Sequence, residues 1–169
     1  MKELVVGADG FIGSKLQQEL NCEGTSRKNP LYHQNHYLDL SNFQESDLPR
    51  ADVVYLCFGV NGSLTCAQNP QESFRINVDS TIKLAKHYSK SSFVVWIGST
   101  TVEWSTDHYA RQKLTTETVL RTLPNVSIVR AGRVTKENLD DLIYTLKGLG
   151  RNKIPGVKLW GEDEKPYVK

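Results

Sequence analysis

Short apolar runs alternate with amphipathic stretches along the 169 residues of the chain. Apolar runs without polar interruption predict strands that are buried on both faces. Four such runs occupy residues 4–6, 53–58, 93–97 and 126–129. Two weaker strand candidates lie at residues 23–25 and 36–38.

Helical periodicity follows each of the four strong runs. In the first case Phe11, Ile12, Leu16 and Leu20 share one face of a predicted helix. The predicted helices cover residues 11–20, 73–88, 107–121 and 136–149, and Asn69-Pro70 is the predicted start of the second. Buried strands that alternate with helices predict a doubly wound, mostly parallel α/β domain, the Rossmann fold, which binds ligands at the carboxyl ends of its strands.

Composition and charge exclude several classes of protein. The 21 Lys and Arg residues against 19 Asp and Glu give a net charge of +2, which does not suggest a nucleic-acid or membrane surface. No apolar run is long enough for a membrane span, and no charged segment leads into an apolar stretch as in a signal peptide. Cys22, Cys57 and Cys66 form no metal-ligand spacing, and the histidines are scattered, so we expect reduced thiols, no metal site and a cytoplasmic location.

A glycine-rich turn follows the first strand, where residues 7–13 read GADGFIG. Glycine is required where a chain turns sharply and where its backbone approaches a pyrophosphate, and a helix N-terminus offers unpaired N–H groups to phosphate. The spacing is GxxGxxG, and an ordinary strand-to-helix turn is the alternative interpretation. Because an apolar strand precedes it and an amphipathic helix follows, we predict dinucleotide binding.

A second candidate motif is the Tyr-x-x-x-Lys formed by Tyr109 and Lys113. Residues four apart share a helical face, so an ammonium would lie near a phenol and lower its pKa, which suits a general acid or base. Spacing alone carries little weight, but this pair opens the helix after the third strong strand. Just before it, the strand end reads Ile-Gly-Ser-Thr-Thr-Val at residues 97–102.

These segments resemble the extended short-chain dehydrogenase/reductase family of NAD(P)-dependent sugar-nucleotide epimerases, dehydratases and reductases. The resemblance is closest to the reductase branch that includes dTDP-4-dehydrorhamnose reductase, and it spans most of residues 1–135. It implies that Tyr109 transfers a proton, Lys113 orients the nicotinamide ribose and Ser99 hydrogen-bonds the reacting oxygen, with Thr100 as second choice for the hydroxyl. The expected cofactor contacts are Gly7, Asp9, Gly10, Phe11, Ile12, Gly13, Ser26, Arg27, Asp39, Leu40, Cys57, Phe58, Gly59, Asn77, Tyr109 and Lys113.

The choice between NAD and NADP depends on the end of the second strand. NAD-binding domains usually carry Asp or Glu there, whereas an Arg accommodates the 2′-phosphate of NADP. Here the sequence places no carboxylate after the strand, and Glu23 lies one or two positions too early. Ser26 and Arg27 offer a hydroxyl donor and a planar fork. We therefore expect NADP, with NAD as the alternative; a solvated charged loop is the other interpretation.

The sequence departs from the family pattern in three places. Ser99 and Tyr109 lie only ten positions apart, where the family has a longer loop that helps to form the substrate site. Residues 130–134 resemble the family's RPxxVYG segment but lack its Pro, Tyr and final Gly. Residues 160–169 resemble a stretch that precedes much of the family's substrate lobe. We therefore expect a dinucleotide-binding domain at 1–150 and an extension at 151–169, as a natural minimal form, a fragment or one partner of a split assembly.

Two functions remain open from the sequence. The first is an oxidoreductase or epimerase acting on a carbonyl or hydroxyl of a sugar nucleotide or similar small molecule. The second is a non-catalytic NAD(P)-binding regulatory or interaction module, which the short loop and the missing lobe favour. The resemblance also makes a homodimer through helices 73–88 and 107–121 an expectation.

Overall fold

The computed structural model describes residues 1–28 and 34–161. Within these ranges, seven strands form one sheet in which every adjacent pair is parallel, in the order β3-β2-β1-β4-β5-β6-β7. The strands are β1 (Glu3–Val6), β2 (Glu23–Ser26), β3 (Asn35–Tyr37), β4 (Val53–Leu56), β5 (Phe93–Ser99), β6 (Val126–Ala131) and β7 (Gly156–Trp160). The doubly wound fold predicted from the sequence is confirmed.

Helices connect the strands. They are α1 (Phe11–Leu20), α2 (Ser63–Gln68), α3 (Pro70–Phe74), α4 (Thr81–Tyr88), α5 (His108–Leu120) and α6 (Leu139–Arg151). A π-helical segment, Arg75–Ser80, joins α3 to α4, and short 3₁₀ turns occupy Glu45–Asp47 and Thr100–Glu103. No helix of the described residues is both long and apolar enough to cross a membrane.

Both faces of the sheet are buried, which explains the apolar strands. Neighbouring residues on a strand point to opposite faces, and Leu4 and Val5 on β1 are both fully buried. Val5 packs in a core with side chains of α1 and α6, including Leu16 and Leu146. Leu4 packs on the other face with side chains of α4 and α5. Each face therefore has its own core.

The order of the strands reverses beside β1, which places a crevice there. β1 pairs with β2 on one side and with β4 on the other, so the connections after β1 and β4 leave in opposite directions. Such a reversal opens a crevice at the carboxyl ends of the strands. The glycine turn after β1 lies at this point.

The predicted elements agree with the structure except at four places. All six predicted strands are present, whereas α2 and β7 were not predicted. The helical stretch that includes 73–88 starts at Pro70, as predicted from Asn69-Pro70, but the π-helical segment divides it. The last helix begins at Leu139 rather than at residue 136.

The sheet extends beyond residue 150. β7 pairs along its length with β6, so this part of the predicted extension belongs to the main sheet. The division of the chain at residue 150 stays a prediction. Residues 162–169, which carry most of the last sequence resemblance, lie outside the described residues.

Candidate active site

The glycine turn packs tightly against the ends of β2 and β4. Gly7 has a φ of +84°, and a Cβ there would lie 2.8 Å from the Cβ of Phe58. A Cβ on Gly13 would lie 2.1 Å from the carbonyl oxygen of Gly7. The backbone N–H of Ala8 donates to the carbonyl of Thr25 at 3.0 Å. Both glycines are therefore required by sterics, whatever the turn binds.

Gly10 differs from the other two glycines. A Cβ at Gly10 would meet only ordinary contacts, at 3.6 Å from the carbonyl oxygen of Cys57 and 3.7 Å from that of Gly7. Gly10 is also the N-cap of α1, where no side chain caps the helix and the first turn has no acidic residue. The N-terminal N–H groups of this ten-residue helix thus lack a side-chain acceptor, which fits a bound phosphate.

A cavity of about 560 Å³ lies at the carboxyl ends of the central strands. This volume falls in the range of roughly 300–1,000 Å³ that is typical of ligand sites. The lining comes from the turns after β1 and β4, the ends of β5 and β6, and α5. These residues are Gly7, Asp9, Gly10, Phe11, Ile12, Leu56, Cys57, Phe58, Gly59, Asn61, Ile97, Gly98, Ser99, Tyr109, Lys113, Ala131, Gly132, Arg133 and Val134. The predicted phosphate turn and the three predicted catalytic side chains therefore open on one cavity.

Ser99 ends β5 at the cavity wall. Its Oγ lies 2.8 Å from Oγ1 of Thr101 and accepts the N–H of Thr101 at 3.2 Å. These contacts form the first turn of the 3₁₀ segment after the strand. Thr100, the second-choice hydroxyl, is buried and does not line the cavity. The structure thus places Ser99, rather than Thr100, beside the space where a ligand would lie.

Tyr109 and Lys113 occupy the first turns of α5. Asp107 caps this helix by accepting the N–H of Ala110 at 2.9 Å, which fixes where the helix begins. The Nζ of Lys113 lies 5.6 Å from the ring centroid of Tyr109. The helical spacing therefore brings cation and phenol together on the cavity side, as predicted.

Lys113 is an unusually buried cation. Its side chain donates to the carbonyl of Ile97 at 3.2 Å and lies 5.1 Å from the centroid of the Trp96 ring. Burial lowers the pKa of Lys113 to about 8, because the charged ammonium loses its hydration. The side chain can therefore change its charge close to neutral pH.

Asn77 lies behind the cavity wall. Its side chain accepts the N–H of Val60 at 2.7 Å and donates to the carbonyl of Val60 at 2.9 Å. It also donates to Oε1 of Gln112 at 2.8 Å. These bonds connect the π-helical segment to the turn after β4 and to α5, so Asn77 shapes the loop that follows Gly59. A direct cofactor contact by Asn77 stays a prediction.

Polar and charged residues lie at the ends of β2 and β3. The Oγ of Ser26 donates to the Asp9 carboxylate, and Arg27 is exposed. Hydrogen bonds from the Ser41 side chain and backbone lower the pKa of Asp39 below its usual range. Ser26, Arg27, Asp39 and Leu40 do not line the cavity, so their predicted cofactor contacts stay predictions.

Eight lining residues were not among the predicted site residues, and two of them, Asn61 and Arg133, have polar side chains. Asn61 lies two positions after Gly59 in the turn that follows β4. Arg133 lies in the segment after β6, where the family resemblance was weakest, and it is exposed. Both residues could have been identified from their positions shortly after a predicted strand, because the turns after parallel strands meet at one edge of the sheet.

The chain was compared with known protein families, curated sequences and solved structures. The profile of the NAD dependent epimerase/dehydratase family matches residues 3–125. No curated protein sequence gives a significant match.

Solved structures share the fold at low sequence identity. A hypothetical dTDP-4-dehydrorhamnose reductase from Sulfolobus tokodaii has 18% identity and a TM-score of 0.78, over 94% of this chain and 76% of that one. MoeE5 in complex with UDP-glucose and NAD has 18% identity and a TM-score of 0.79, over 96% and 76%. The Bacillus anthracis dTDP-4-dehydrorhamnose reductase in complex with NADP has 16% identity and a TM-score of 0.76, over 95% and 74%.

Proposed function

The chain belongs to the NAD dependent epimerase/dehydratase family, and from this membership we propose that it uses a nicotinamide dinucleotide to act on a carbonyl or hydroxyl group of a sugar nucleotide or similar small molecule. One observation carries the proposal: a single cavity joins the glycine turn at the start of α1 to Ser99, Tyr109 and Lys113. A dinucleotide whose pyrophosphate binds at that turn would extend along this cavity towards the three side chains.

The solved structures support the class of ligand. MoeE5 was solved with UDP-glucose and NAD, and the Bacillus anthracis reductase with NADP. Both have the fold of this chain, and a fold alone does not carry a substrate with it. The ligand class therefore rests on the family together with the cavity.

Each polar side chain at the reacting end has a distinct role in the proposed mechanism. The bound dinucleotide would supply the hydride chemistry. Tyr109 passes a proton to or from the substrate oxygen, as a general acid or base. Ser99 hydrogen-bonds the same oxygen, since its side chain lies at the cavity wall. Lys113, whose Nζ lies 5.6 Å from the centroid of the Tyr109 ring, orients the ribose and stabilises the Tyr109 phenolate.

The protonation of Lys113 links the site to pH. Below its pKa of about 8 the side chain is mostly charged. A charged Lys113 stabilises negative charge on the phenol, whereas a neutral one does not. We therefore expect the proton transfer by Tyr109 to depend on pH around this value.

The short connection between β5 and α5 favours a second candidate. Only ten positions separate Ser99 from Tyr109, and four of the intervening residues form the 3₁₀ turn Thr100–Glu103. A domain with so short a loop would bind the dinucleotide without enclosing a large substrate. The second candidate is therefore a non-catalytic dinucleotide-binding regulatory or interaction module.

Binding and turnover distinguish these two candidates. NADH and NADPH are titrated calorimetrically, and turnover is then measured on UDP- and dTDP-linked hexoses. We expect at least one dinucleotide to bind. We also expect Tyr109→Phe to reduce turnover roughly 10²- to 10⁴-fold, because a general acid or base is removed, while dinucleotide affinity stays within about threefold.

A matched variant is Tyr144→Phe, which removes the same hydroxyl from an exposed side chain on α6. It should leave turnover unchanged. Binding of a dinucleotide without turnover of any substrate would establish the non-catalytic module. If neither dinucleotide binds, both candidates are wrong.

A further inference from the structure

The structure brings a carboxylate to the end of β2 from a different part of the chain. No acidic residue comes directly after β2 in the sequence, where Arg27 and Lys28 follow the strand. Asp9, in the glycine turn, lies against this strand end. Its Oδ2 lies 2.5 Å from the Oγ of Ser26, and its Oδ1 lies 3.9 Å from the Nζ of Lys28. Asp9 also lines the cavity, with 29% of its side chain exposed. A carboxylate therefore occupies the corner where the sequence placed none.

The hydroxyl of Ser26 is already committed by these contacts. It donates to Asp9 and accepts the backbone N–H of Lys28 at 2.9 Å. A hydroxyl has one hydrogen to donate, so Ser26 has none left for a phosphate oxygen. The donor that the sequence offered to the 2′-phosphate of NADP is used to fix Asp9 in place.

Asp9 keeps acceptor capacity towards the cavity. A carboxylate has about four lone-pair sites, of which Ser26 occupies one. In doubly wound folds the adenosine ribose lies at the end of the second strand, where a carboxylate accepts from its 2′-hydroxyl. The 2′-phosphate of NADP has no such hydrogen at neutral pH and carries negative charge. The two cofactors thus differ in the substituent of the ribose that such folds place at this strand end.

We propose that Asp9, fixed by Ser26, makes the site select NAD over NADP. The proposal rests on the proposed dinucleotide-binding function and specifies its cofactor. Asp9 accepts a hydrogen bond from the ribose 2′-hydroxyl of NAD and repels the 2′-phosphate of NADP. The acidic residue that such domains usually carry after β2 is supplied here by the turn after β1.

Two cations act in the opposite direction. Arg27 alone would favour NADP, and it is exposed at the end of β2. The ammonium of Lys28 lies 3.9 Å from the carboxylate of Asp9 and offsets part of the negative charge of that carboxylate. Asp9 is less exposed and is held by a hydrogen bond, whereas exposed cations on flexible side chains are screened by water and salt. The fixed carboxylate therefore dominates the choice.

Direct binding tests this proposal without a substrate. Dissociation constants of NADH and NADPH are measured calorimetrically on the full chain. We expect NADH to bind at least tenfold more tightly, and the ratio to fall as salt is raised, because salt screens the repulsion. Asp9→Asn keeps the shape and removes the charge, so it should reduce the ratio to about threefold or less, mainly through tighter NADPH binding.

Two further variants make the interpretation specific. Ser26→Ala removes the bond that fixes Asp9 and should reduce the ratio by a smaller factor than Asp9→Asn. Glu45→Gln makes the same change in charge beside His87, near the C-terminal end of α4. That end of α4 lies away from the carboxyl ends of the strands, so Glu45→Gln should leave the ratio unchanged.

The experiment distinguishes a wrong proposal on NAD selectivity from a wrong proposal on dinucleotide binding. Equal affinities, tighter NADPH binding, or an unchanged ratio in Asp9→Asn would overturn it while dinucleotide binding still stands. If neither dinucleotide binds the native chain, the proposed function itself is wrong. If Asp9→Asn does not fold, competition on the native chain by ADP-ribose against 2′-phospho-ADP-ribose replaces it. The unphosphorylated compound should then compete at least tenfold better.

Discussion

Lys113 combines a charged group with a nearly dry environment. Its side chain is only 6% exposed, and among the described residues no carboxylate forms an ion pair with it. The neighbours that it does have are the carbonyl of Ile97 and the rings of Trp96 and Tyr109. These contacts compensate for only part of the lost hydration, which is why its pKa falls.

A pH titration of stability follows from this burial. The pKa of Lys113 is about 8 in the native state against 10.5 for the free side chain. Between these values the unfolded chain binds more protons, so the free energy of unfolding gains from Lys113 as pH rises. We expect Lys113→Met to stabilise the protein at neutral pH, by on the order of 1 to 3 kcal/mol, and this advantage to shrink towards about pH 10.

Urea unfolding of both proteins across this pH range is the measurement. Because other groups titrate in both chains, only the difference between the two free energies is compared. A difference that stays flat with pH would show that Lys113 keeps the pKa of an exposed lysine in the folded state.

The individual residues of the site differ in how far sequence could identify them. The glycines, Ser99, Tyr109 and Lys113 could be identified because each falls at a fixed offset from a strand or helix. The hydrogen bond between Asp9 and Ser26 could not be identified from the sequence. It joins residues 17 positions apart, one in the turn after β1 and the other at the end of β2. Contacts of this kind depend on how two turns meet after folding.

The 3₁₀ turn after β5 is held by an ion-pair network on β6 and α5. Arg130, on β6, makes bonds of 2.6 to 3.1 Å to the carboxylate of Glu117 on α5. It also lies 3.0 Å from Glu103, the last residue of the turn. Glu117 is fully buried, while Glu103 is partly exposed. One arginine thus connects α5 to the short loop that precedes it.

Removing either end of this network should have very different effects. Among the described residues, Arg130→Met leaves the buried Glu117 carboxylate with the more distant Arg121, at 3.6 Å, as its remaining cation. We expect a loss of about 3 to 5 kcal/mol in the free energy of unfolding, as for other broken buried pairs. Glu103→Gln removes a partly exposed partner and should cost less than about 1 kcal/mol.

Chemical denaturation of both variants measures this difference. Glu103→Gln serves as the matched variant, since it perturbs the same arginine without leaving a buried charge. Equal losses in the two variants would mean that the stability of the buried Glu117 carboxylate does not depend on Arg130.

The predicted elements were right where burial produced a strong pattern. The central strands are buried on both faces, and the first helix buries one face, including Leu16 and Leu20, in the core. α2 has one buried residue, Cys66, and four of the five residues of β7 are exposed, so neither has a strong periodic signal. The π-helical segment is set by bonds to distant residues, such as that from Thr116 to the carbonyl of Asn77. Local sequence does not encode contacts of that range.

At the scale of the whole molecule, the last strand extends the sheet to the edge of the cavity. The carbonyl of Trp160 accepts the N–H of Gly132, which lines the cavity, at 2.8 Å. The indole N–H of Trp160 donates to Asp141 at 2.8 Å, and its ring is buried in the core beneath α6. β7 is therefore connected both to the core and to the site.

The two neighbouring side chains of β7 allow its contribution to be measured. Trp160 is 8% exposed, whereas Leu159 points to the opposite face and is 65% exposed. Trp160→Ala should cost about 3 to 5 kcal/mol, because it empties a packed position and removes the bond to Asp141. It should also weaken dinucleotide binding, since Gly132 loses part of its support. Leu159→Lys should change stability by less than about 0.5 kcal/mol, as exposed positions do.

Denaturation and calorimetric titration of both variants decide whether the folded unit extends past residue 150. A large effect of Trp160→Ala together with a small one of Leu159→Lys would place residues 156–160 in the same cooperative unit as the dinucleotide site, because stability and binding would fall together. If both substitutions are silent, β7 contributes little to the fold. The stable unit would then end near the predicted boundary at residue 150, although the sheet itself continues to residue 160.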